Sequence, residues 1–588
     1  VGSEMCIRDS IIYIMKKSSY SFFYLFVLLL GFGLSSNVHA QEELSVPHVE
    51  DVAWNKIPHK LYATWTSTNN QVDKFSCPST SGLVNRLALT GWRGERLYAK
   101  LLLWSPVEEG EVSYTITEPE GQKWVDYATT GFMGYVMTDE LNKDGKGGCG
   151  YRPNKAEYDS SLVADRIQPI GKILYQAKTV RPVWITFEIP RDAVPGLYKG
   201  NVEVKSAQGK AQQLTYSIRV VNRTLPEPAD RKFHLDLWQN PFAVARVAGV
   251  PLWSKEHFDA MRPLMERLAK AGQRGITASV THKPWNGQTY DYFENMITEI
   301  RRVDGSWTYD FALFDRWIEF MTSCGVGPYI YCYSVIPWDL TFRYYDQATN
   351  SMVDRKFNVN DSAFDDYWIS KLSAFAAHLK SKGWFDHTII AMDERPAESM
   401  KAALRVIRKA DPNFKISLAG TYHKELDDEI YDYCIGYNDK YPDGVIDARR
   451  AKGKITTFYT CCTEPFPNTF TFSQPAEATS FALIAEERDL DGYLRWAYNS
   501  WVKSPFQDSR FTAWAGGDTY IVYPENNSSA RFEKLIEGIQ MFEKIQLLKA
   551  DGKHGRNIRK LLQPFAYDRI NKVDLQKNIN KVSDYLNK

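Results

Sequence analysis

The stretch TIIAMDERPAESMKAALRVIRKADPNFKISLAG, residues 388–420, places a strand, a helix and a second strand directly after one another. Residues 388–393 form a short apolar run rich in β-branched side chains, and apolar residues recur at helical spacing over 398–412. A strand, helix and strand in this order predict two neighbouring parallel strands, because a crossover helix is the usual connection between them. The first of these strands ends on the adjacent carboxylates Asp393 and Glu394.

The same alternation continues on both sides of this stretch. Strand-like segments lie at 233–238, 275–281, 327–334, 388–393, 415–420, 432–437, 455–460 and 492–498. Amphipathic runs such as 254–272 and 365–383 separate most of them, although the run between the fifth and sixth strands is weak. Eight strands alternating with helices predict a catalytic (β/α)8 TIM-type barrel over 231–550, followed by a C-terminal helical extension over 551–588.

The region ahead of the barrel has a different pattern. Over 42–225, short alternating segments such as RLYAKLLLW (96–104) and PVWITFEI (182–189) are separated by turn-forming residues. This pattern predicts an N-terminal all-β sandwich domain. The fold class expected for the whole chain is therefore multidomain α/β, and the proline-containing stretch 222–230 is typical of a linker.

The first forty residues are typical of an export signal. Lys16 and Lys17 precede the apolar run YSFFYLFVLLLGFGL, and the small-residue site NVHA ends at Ala40. We therefore predict a signal peptide over 15–40, with residues 1–14 as a non-native leader, and an exported protein that is periplasmic, secreted or on the cell surface. The apolar run is short for a membrane span, so no stable span is expected in the mature chain.

Charge and composition narrow the range of partners. A net charge of +1 over 588 residues gives no reason to expect a nucleic-acid partner. The 17 Trp and 34 Tyr residues suit carbohydrate binding, since ring faces stack on sugars, but they also suit ordinary cores. No cofactor and no metal site are expected, because the few His and Cys residues form no ligand motif.

Export permits disulfide bonds. Cys77 and Cys149 flank the first domain and could pair. The adjacent Cys461 and Cys462 are expected to pack as small residues at the end of a strand.

The pair Asp393-Glu394 lies where a barrel enzyme performs its chemistry, at the carboxyl end of the fourth strand. A bend at the strand end would allow both side chains to reach one cleft, and Pro396 stops the strand from continuing. The alternative is structural: Asp393 would cap the following helix, and Glu394 would pair with Arg395. The other two Asp-Glu pairs, at 139–140 and 428–429, lie in polar stretches expected to be exposed.

Rings and polar side chains follow the other strand ends. Sugar sites combine ring faces with polar groups for the hydroxyls, so these residues are candidates for substrate binding. Each of them could instead be a packing residue. The candidates are Trp338, Tyr459, Trp496, Tyr333, His423, Trp238 and Asn499.

Several motifs together resemble glycoside hydrolase family 123 and its close relatives. They are TIIAMDERP (388–396), TTFYTCC (456–462) with PNTFTFSQPAEA (467–478), DGYLRWAYNSW (491–501), and GGDTYIVYP (516–524) with SSARFEKLIEGIQ (528–540). The resemblance implies an exported bacterial retaining β-N-acetylgalactosaminidase with a β-sandwich ahead of its catalytic barrel. It also implies substrate-assisted catalysis, in which the acetamide of the substrate is the nucleophile.

The resemblance assigns a role to each carboxylate. Asp393 would accept the acetamide N–H and stabilise the developing positive charge, while Glu394 would act as general acid and then as general base. Adjacent carboxylates, one of them kept ionised, are expected to raise the proton affinity of the other.

Two other functions stay open at this point. A different sugar, such as β-N-acetylglucosamine or a sugar without an acetamide, would keep the barrel and the acid pair. A non-catalytic glycan-binding surface protein would keep only the aromatic cleft. In each case the partner is a glycan or a glycolipid. The sequence does not decide between a sugar with an axial O4 and one with an equatorial O4.

Overall fold

The structure is a computed structural model that describes residues 43–120, 124, 127–139, 149, 160–209, 211–512 and 514–588. These residues belong to one unit that spans Ala40–Lys588. The leader and signal-peptide predictions, over 1–14 and 15–40, lie outside the described residues.

The N-terminal part of the chain forms two packed β-sheets. Its strands are β1 (Tyr62–Thr66), β2 (Arg86–Arg93), β3 (Arg96–Ser105), β4 (Gly110–Ile116), β5 (Ala128–Thr138), β6 (Ser161–Gln168), β7 (Lys172–Tyr175), β8 (Thr179–Glu188), β9 (Gly196–Ser206) and β10 (Ala211–Thr224). One sheet has the order β1-β3-β8-β5-β6 and the other the order β2-β10-β9-β4-β7. Alternate residues of both sheets, such as Leu101 and Val202, are fully buried in one shared core. The predicted β-sandwich is confirmed.

Thirteen further strands and ten helices follow in the described residues. The strands are β11 (His234–Leu237), β12 (Gly275–Ser279), β13 (Thr298–Arg301), β14 (Trp307–Asp310), β15 (Tyr329–Tyr333), β16 (Thr341–Asp346), β17 (Ser351–Lys356), β18 (Thr388–Asp393), β19 (Lys415–Ala419), β20 (Asp432–Gly436), β21 (Ile455–Tyr459), β22 (Gly492–Arg495) and β23 (Ser528–Ser529). The helices are α1 (Pro241–Ala248), α2 (Lys255–Ala271), α3 (Ala312–Ser323), α4 (Ser362–Lys382), α5 (Ala397–Ala410), α6 (Val445–Ala451), α7 (Pro475–Glu487), α8 (Ala530–Ala550), α9 (Gly555–Leu562) and α10 (Leu575–Leu586).

Eight of these strands form a parallel barrel sheet in the order β11-β22-β21-β20-β19-β18-β15-β12. A bridge between Leu235 and Gln273 brings the two ends of the sheet together. The strands follow one another around the barrel in chain order, which is the arrangement of a TIM-type barrel. The weak run between the fifth and sixth strands contains only a 3₁₀ turn, Lys424–Leu426. The predicted barrel, with helices after it at the C-terminus, is confirmed.

Two features of the sheets were absent from the sequence prediction. The hairpins β13–β14 and β16–β17 pair through β13 and β16 into a separate four-stranded sheet. Strand β23, which precedes α8, pairs with β6 at the edge of the sandwich. These strands are only two to six residues long, and the pairings of β13 with β16 and of β23 with β6 join segments that are distant in the chain, so local periodicity gives little signal for them.

Buried ion pairs connect the sandwich to the barrel. Arg531 of α8 lies 2.8 Å from Asp165 of β6, and Lys544 of α8 lies 2.5 Å from Glu95. All four side chains are almost completely buried. A buried charge without its partner is strongly unfavourable, so these pairs fix the position of the sandwich on α8.

A disulfide bond joins Cys149 to Cys462. The suggested pairing of Cys77 with Cys149 is therefore wrong, and Cys77 is a free thiol. The expectation that Cys462 packs as a simple small residue is also wrong. Sequence spacing could not identify the pair, because the two cysteines are 313 residues apart.

Within the part of the chain that the structure describes, no helix combines the length and the apolarity needed to cross a membrane.

Candidate active site

The backbone turns sharply between the two adjacent carboxylates. Asp393 is the last residue of β18, and Glu394 has a left-handed backbone with φ 42°. The Glu394 N–H donates to the Ala419 carbonyl at 2.6 Å, and a Cβ on Gly420 would lie only 3.1 Å from the Glu394 backbone. A positive φ at a residue other than glycine is uncommon and concentrates at functional sites. Here it allows both carboxylates to line one cavity.

One carboxylate oxygen of Asp393 accepts a hydrogen bond, and the other has no hydrogen-bond partner among the described residues. Its side chain is almost completely buried, and Oδ2 accepts a hydrogen bond from the Trp338 indole N–H at 3.0 Å. Oδ1 has no hydrogen-bond partner among the described residues. Burial raises the pKa of Asp393 to about 6, although Trp338 and Arg395 counter the effect and Glu394 adds to it. The carboxyl is therefore mostly ionised at pH 7.

The side chain of Glu394 is exposed at the cavity and has one hydrogen-bond partner among the described residues. The Tyr459 hydroxyl donates to its Oε1 at 2.9 Å. Burial, with a smaller contribution from Glu394, holds the pKa of Tyr459 well above its usual range, so this hydroxyl keeps its proton. No hydrogen bond to the second carboxylate oxygen of Glu394 is formed within the described residues.

The structural alternative for the carboxylate pair does not hold. Helix α5 begins after Pro396, and no side chain caps its N-terminus. Among the described residues Arg395 forms no ion pair with Glu394; its guanidinium lies 4.3 Å from the centre of the Trp338 ring. The expected exposure of Asp139 is wrong, because this residue is fully buried and accepts a hydrogen bond from the Gly516 N–H at 2.9 Å, while Glu140 lies outside the described residues.

The carboxylates face a cavity of about 340 Å³ at the carboxyl ends of the barrel strands. This volume is within the range of small-ligand sites. Its lining consists of Cys149, Trp238, Trp285, Gln288, Trp338, Asp393, Glu394, Ala419, Tyr459, Cys461, Cys462, Thr463, Leu494, Trp496, Trp514 and Asp518. Six of these are aromatic, so the site offers ring faces together with carboxylates.

Four of the seven predicted binding residues line this cavity: Trp238, Trp338, Tyr459 and Trp496. Trp238 stacks on Trp285 with ring centres 4.8 Å apart, and Trp496 meets Trp514 edge-on at 5.8 Å. These contacts hold the rings in fixed orientations. Their roles in binding stay predictions.

The other three predicted residues lie outside the lining. Tyr333 is buried behind Trp238, with ring centres 4.5 Å apart. The amide of Asn499 is occupied by the backbone of Asn240, at 2.9 and 2.8 Å. His423 precedes the short 3₁₀ turn after β19. A position at a strand end fixes the height of a residue in the barrel but not the direction of its side chain, which explains the difference.

Several lining residues were not among the predicted ones. The position of Trp285 shortly after the second strand could have marked it as a site residue. Trp514 and Asp518 had no such mark, because they lie in the long irregular segment after β22. The disulfide brings Cys149 of the sandwich to the cavity wall. Only the folded chain brings these residues to the site.

Three buried polar atoms of the lining have no hydrogen-bond partner among the described residues. They are Asp393 Oδ1, Asp518 Oδ2 and Trp285 Nε1. Buried polar groups nearly always have a partner, and an unpaired one costs about 1–3 kcal/mol. Two acceptors and one donor in one aromatic cavity are therefore suited to a ligand that carries both N–H and hydroxyl groups.

The described residues contain no group of three or more His, Cys, Asp or Glu side chains placed to hold a metal ion.

The buried Asp393 has a consequence for stability. Its pKa is about 6 in the folded chain against an ordinary 3.8, so its contribution to stability is fully present below about pH 4 and is lost as the pH rises through 6. Asp393→Asn cannot ionise and avoids this loss. We expect the variant to be about 2–3 kcal/mol more stable than the parent at pH 8, and about equal at pH 4.

Denaturant unfolding at the two pH values measures this difference. Asp447→Asn, the same change at an exposed side chain, is the control and should leave stability unchanged at both. A less stable Asp393→Asn at pH 8 would show that burial does not raise the pKa of this carboxyl.

A TIM-type barrel whose strand ends carry a carboxylate pair in an aromatic cavity has the architecture of a glycoside hydrolase. Comparison with protein families agrees with this class. The family model described as glycoside hydrolase 123, catalytic domain, matches residues 238–548, and the glycoside hydrolase 123 N-terminal domain matches residues 65–206. The chain belongs to glycoside hydrolase family 123.

A solved structure of the same family has a similar fold. A family 123 glycoside hydrolase from Clostridium perfringens, described in terms of glycolipid glycan hydrolysis, is 24% identical with a TM-score of 0.80, and the match covers 90% of this chain and 98% of that one. A GH5 xyloglucanase from Bacteroides ovatus also aligns, at 10% identity and a TM-score of 0.29, over 77% of this chain and 98% of that one. None of the curated proteins matches the sequence.

Proposed function

We propose that the protein is an exported, retaining exo-β-N-acetylgalactosaminidase that removes terminal β-linked N-acetylgalactosamine with the help of the substrate's own acetamide. One observation carries this proposal. Asp393 is fixed through Oδ2 by Trp338, its Oδ1 is unpaired, and the exposed Glu394 directly follows it in the same cavity. The arrangement supplies an acceptor for an N–H and, beside it, a proton donor.

Asp393 acts on the acetamide in this mechanism. The N–H donates to Oδ1, which turns the acetamide oxygen towards the anomeric carbon. As that oxygen attacks, positive charge develops on the acetamide, and the buried carboxylate stabilises it more strongly than water would. The product of the first step is an oxazoline.

Glu394 moves the proton. It donates a proton to the glycosidic oxygen as the bond from that oxygen to the anomeric carbon breaks. It then takes a proton from the water that opens the oxazoline, and so returns to its starting state. Each step inverts the anomeric carbon, and the two inversions give net retention.

Tyr459 positions the acid. Its neutral hydroxyl donates to Glu394 Oε1 and limits the rotation of a side chain that is otherwise exposed. The indole of Trp338 performs the matching task for Asp393. Both carboxylates are thus oriented before the substrate arrives, which reduces the reorganisation that the reaction requires.

Export is supported by the bond between Cys149 and Cys462, because disulfides persist mainly in oxidising compartments. The charged and apolar segments of residues 15–40 have the order of a signal peptide. We therefore place the enzyme in the periplasm, in the medium or on the cell surface. A substrate that is a glycan or the glycan of a glycolipid is in keeping with the Clostridium perfringens relative.

A panel of aryl β-glycosides tests the activity and the sugar together. We expect strong turnover of the N-acetylgalactosaminide. Turnover of the N-acetylglucosaminide should be weak, because this sugar has the acetamide but differs in the orientation of its C4 hydroxyl. Galactosides and glucosides should not react, since they lack the nucleophile.

Each other result selects another function. Preferred turnover of the N-acetylglucosaminide would identify an enzyme of the same mechanism with a different sugar. Turnover of galactosides or glucosides would exclude the substrate-assisted mechanism. Binding of acetamido sugars without any turnover would identify a glycan-binding protein.

A further inference from the structure

A second buried carboxylate faces the catalytic cavity. Asp518 lines this cavity and is fully buried, and its Oδ1 accepts a hydrogen bond from Arg495 at 2.5 Å. Oδ2 has no partner among the described residues. Burial raises the pKa of Asp518 to about 6, although Arg495 and, less strongly, the Trp496 indole counter the effect. Asp518 therefore resembles Asp393 in having one oxygen held and one unpaired.

The surroundings hold Asp518 rigidly. Arg495 is the last residue of β22, is itself buried, and also donates to Asn468 Oδ1 at 2.5 Å. The Asp518 N–H donates to the Ala515 carbonyl at 3.0 Å. Two residues earlier, Gly516 donates to the buried Asp139 of the sandwich. Barrel and sandwich together fix the carboxylate, as a preorganised binding group requires.

Barrel topology places Arg495, which binds Asp518, opposite the strand that ends in Asp393. Asp393 ends the fourth barrel strand, whereas the partner of Asp518, Arg495, ends the eighth, and these strands are opposite in a ring of eight. In a pyranose, C5 with its C6 substituent lies across the ring from C2, and C4 is next to it. A sugar whose C2 acetamide faces Asp393 therefore presents its C4 and C6 hydroxyls towards Asp518.

We propose that Asp518 accepts a hydrogen bond from a hydroxyl on the C4–C6 edge of the terminal sugar and thereby sets the sugar specificity. The inference rests on the proposed function and adds a residue that recognises the sugar rather than the acetamide. A fixed, buried acceptor discriminates strongly, because an analogue that lacks or misplaces the hydroxyl leaves the acceptor unpaired.

The test compares Asp518→Asn with the parent on 4-nitrophenyl β-N-acetylgalactosaminide and on its 4-deoxy and 6-deoxy analogues. We expect the variant to lose about 10- to 100-fold in kcat/KM on the complete substrate. The parent should lose a similar factor with one of the deoxy analogues. On that analogue the Asn substitution should have little further effect, because the hydroxyl that it serves is already absent.

Two further variants separate recognition from folding. Asp165 is also a fully buried aspartate that pairs with an arginine and has an unpaired Oδ1, but it lies outside the cavity lining. Asp165→Asn should change kcat/KM by the same factor on all three substrates. Asp518→Glu keeps the charge beside Arg495 and moves the free oxygen, so it should show the selective loss even if Asp518→Asn folds poorly.

An equal loss on all three substrates in both Asp518 variants would overturn the inference and leave the proposed function intact. A parent that hydrolyses no acetamido glycoside would instead refute the proposed function, and the inference with it.

Discussion

Glu394→Gln is expected to slow hydrolysis of substrates with poor leaving groups by about 10²- to 10⁴-fold. The amide cannot donate a proton to the glycosidic oxygen, and an alkoxide leaves slowly without one. The amide preserves the shape of the side chain and can still accept the Tyr459 hydrogen bond, so the site itself should stay intact. The loss should therefore appear in the chemical step.

The dependence of the rate on the leaving group distinguishes a general acid from a residue with another role. A nitrophenolate leaves readily without protonation, so formation of the oxazoline from an aryl glycoside should be almost unaffected. Opening of the oxazoline still requires the general base and becomes the slower step. Rates measured on a natural disaccharide and on a series of aryl glycosides show how the effect of the substitution depends on the leaving group.

Glu398→Gln is the matched control, since Glu398 undergoes the same change on an exposed face of α5. It should leave both rates unchanged. If Glu394→Gln slowed activated and unactivated substrates equally, Glu394 would not be the general acid.

Asp393→Asn is expected to lower kcat/KM by about 10²- to 10³-fold on every substrate, whatever the leaving group. An amide in this position loses the charge that stabilises the developing oxazolinium, and its N–H₂ group cannot accept the acetamide N–H. Because kcat/KM reports ionisations of the free enzyme, the acid limb of the parent profile should lie near pH 6, the pKa of Asp393. The Asn variant should lose that limb.

Asp432→Asn serves as the control for this change. Asp432 is also buried, with its pKa raised to about 6, but it lies on β20 outside the cavity lining and accepts a hydrogen bond from Tyr331. This variant should keep the activity and the acid limb of the parent.

A thiazoline that mimics the oxazoline provides a readout without turnover. It should bind the parent tightly, as ligands that resemble an intermediate do, and bind Asp393→Asn more weakly. Failure of the thiazoline to inhibit the parent, or the same leaving-group dependence in both variants, would contradict the separate roles of Asp393 and Glu394.

The expected stability gain of Asp393→Asn and its expected loss of activity have one cause. Burial of a carboxylate is unfavourable for folding, but it makes that carboxylate an effective partner for a developing positive charge. A site of this kind is maintained for function at a cost in stability.

Most of the barrel could be predicted from the sequence. All eight barrel strands lie inside segments recognised from local pattern, and TIIAMD coincides with β18. These strands are nearly continuous apolar runs because the barrel buries both of their faces. The motif at 388–396 also located Asp393 and Glu394 at a strand end, where the bend at Glu394 brings them together.

Local pattern could not locate the contacts made across the fold. Tyr333 and Trp338 both belong to the region at the end of the third strand, yet Tyr333 packs into the core and Trp338 binds Asp393. The difference depends on side-chain direction, which is set by neighbours remote in the chain.

The sequence by itself determined the sandwich, the order of the barrel strands and the position of the carboxylate pair, because each is encoded in the spacing of residues within about twenty positions. Only the tertiary structure decided that Cys149 pairs with Cys462, that Asp393 has one free oxygen and that Asp518 faces the same cavity. These depend on segments that are distant in the chain and meet only when the barrel closes and the sandwich docks against it. Local periodicity therefore cannot predict these contacts.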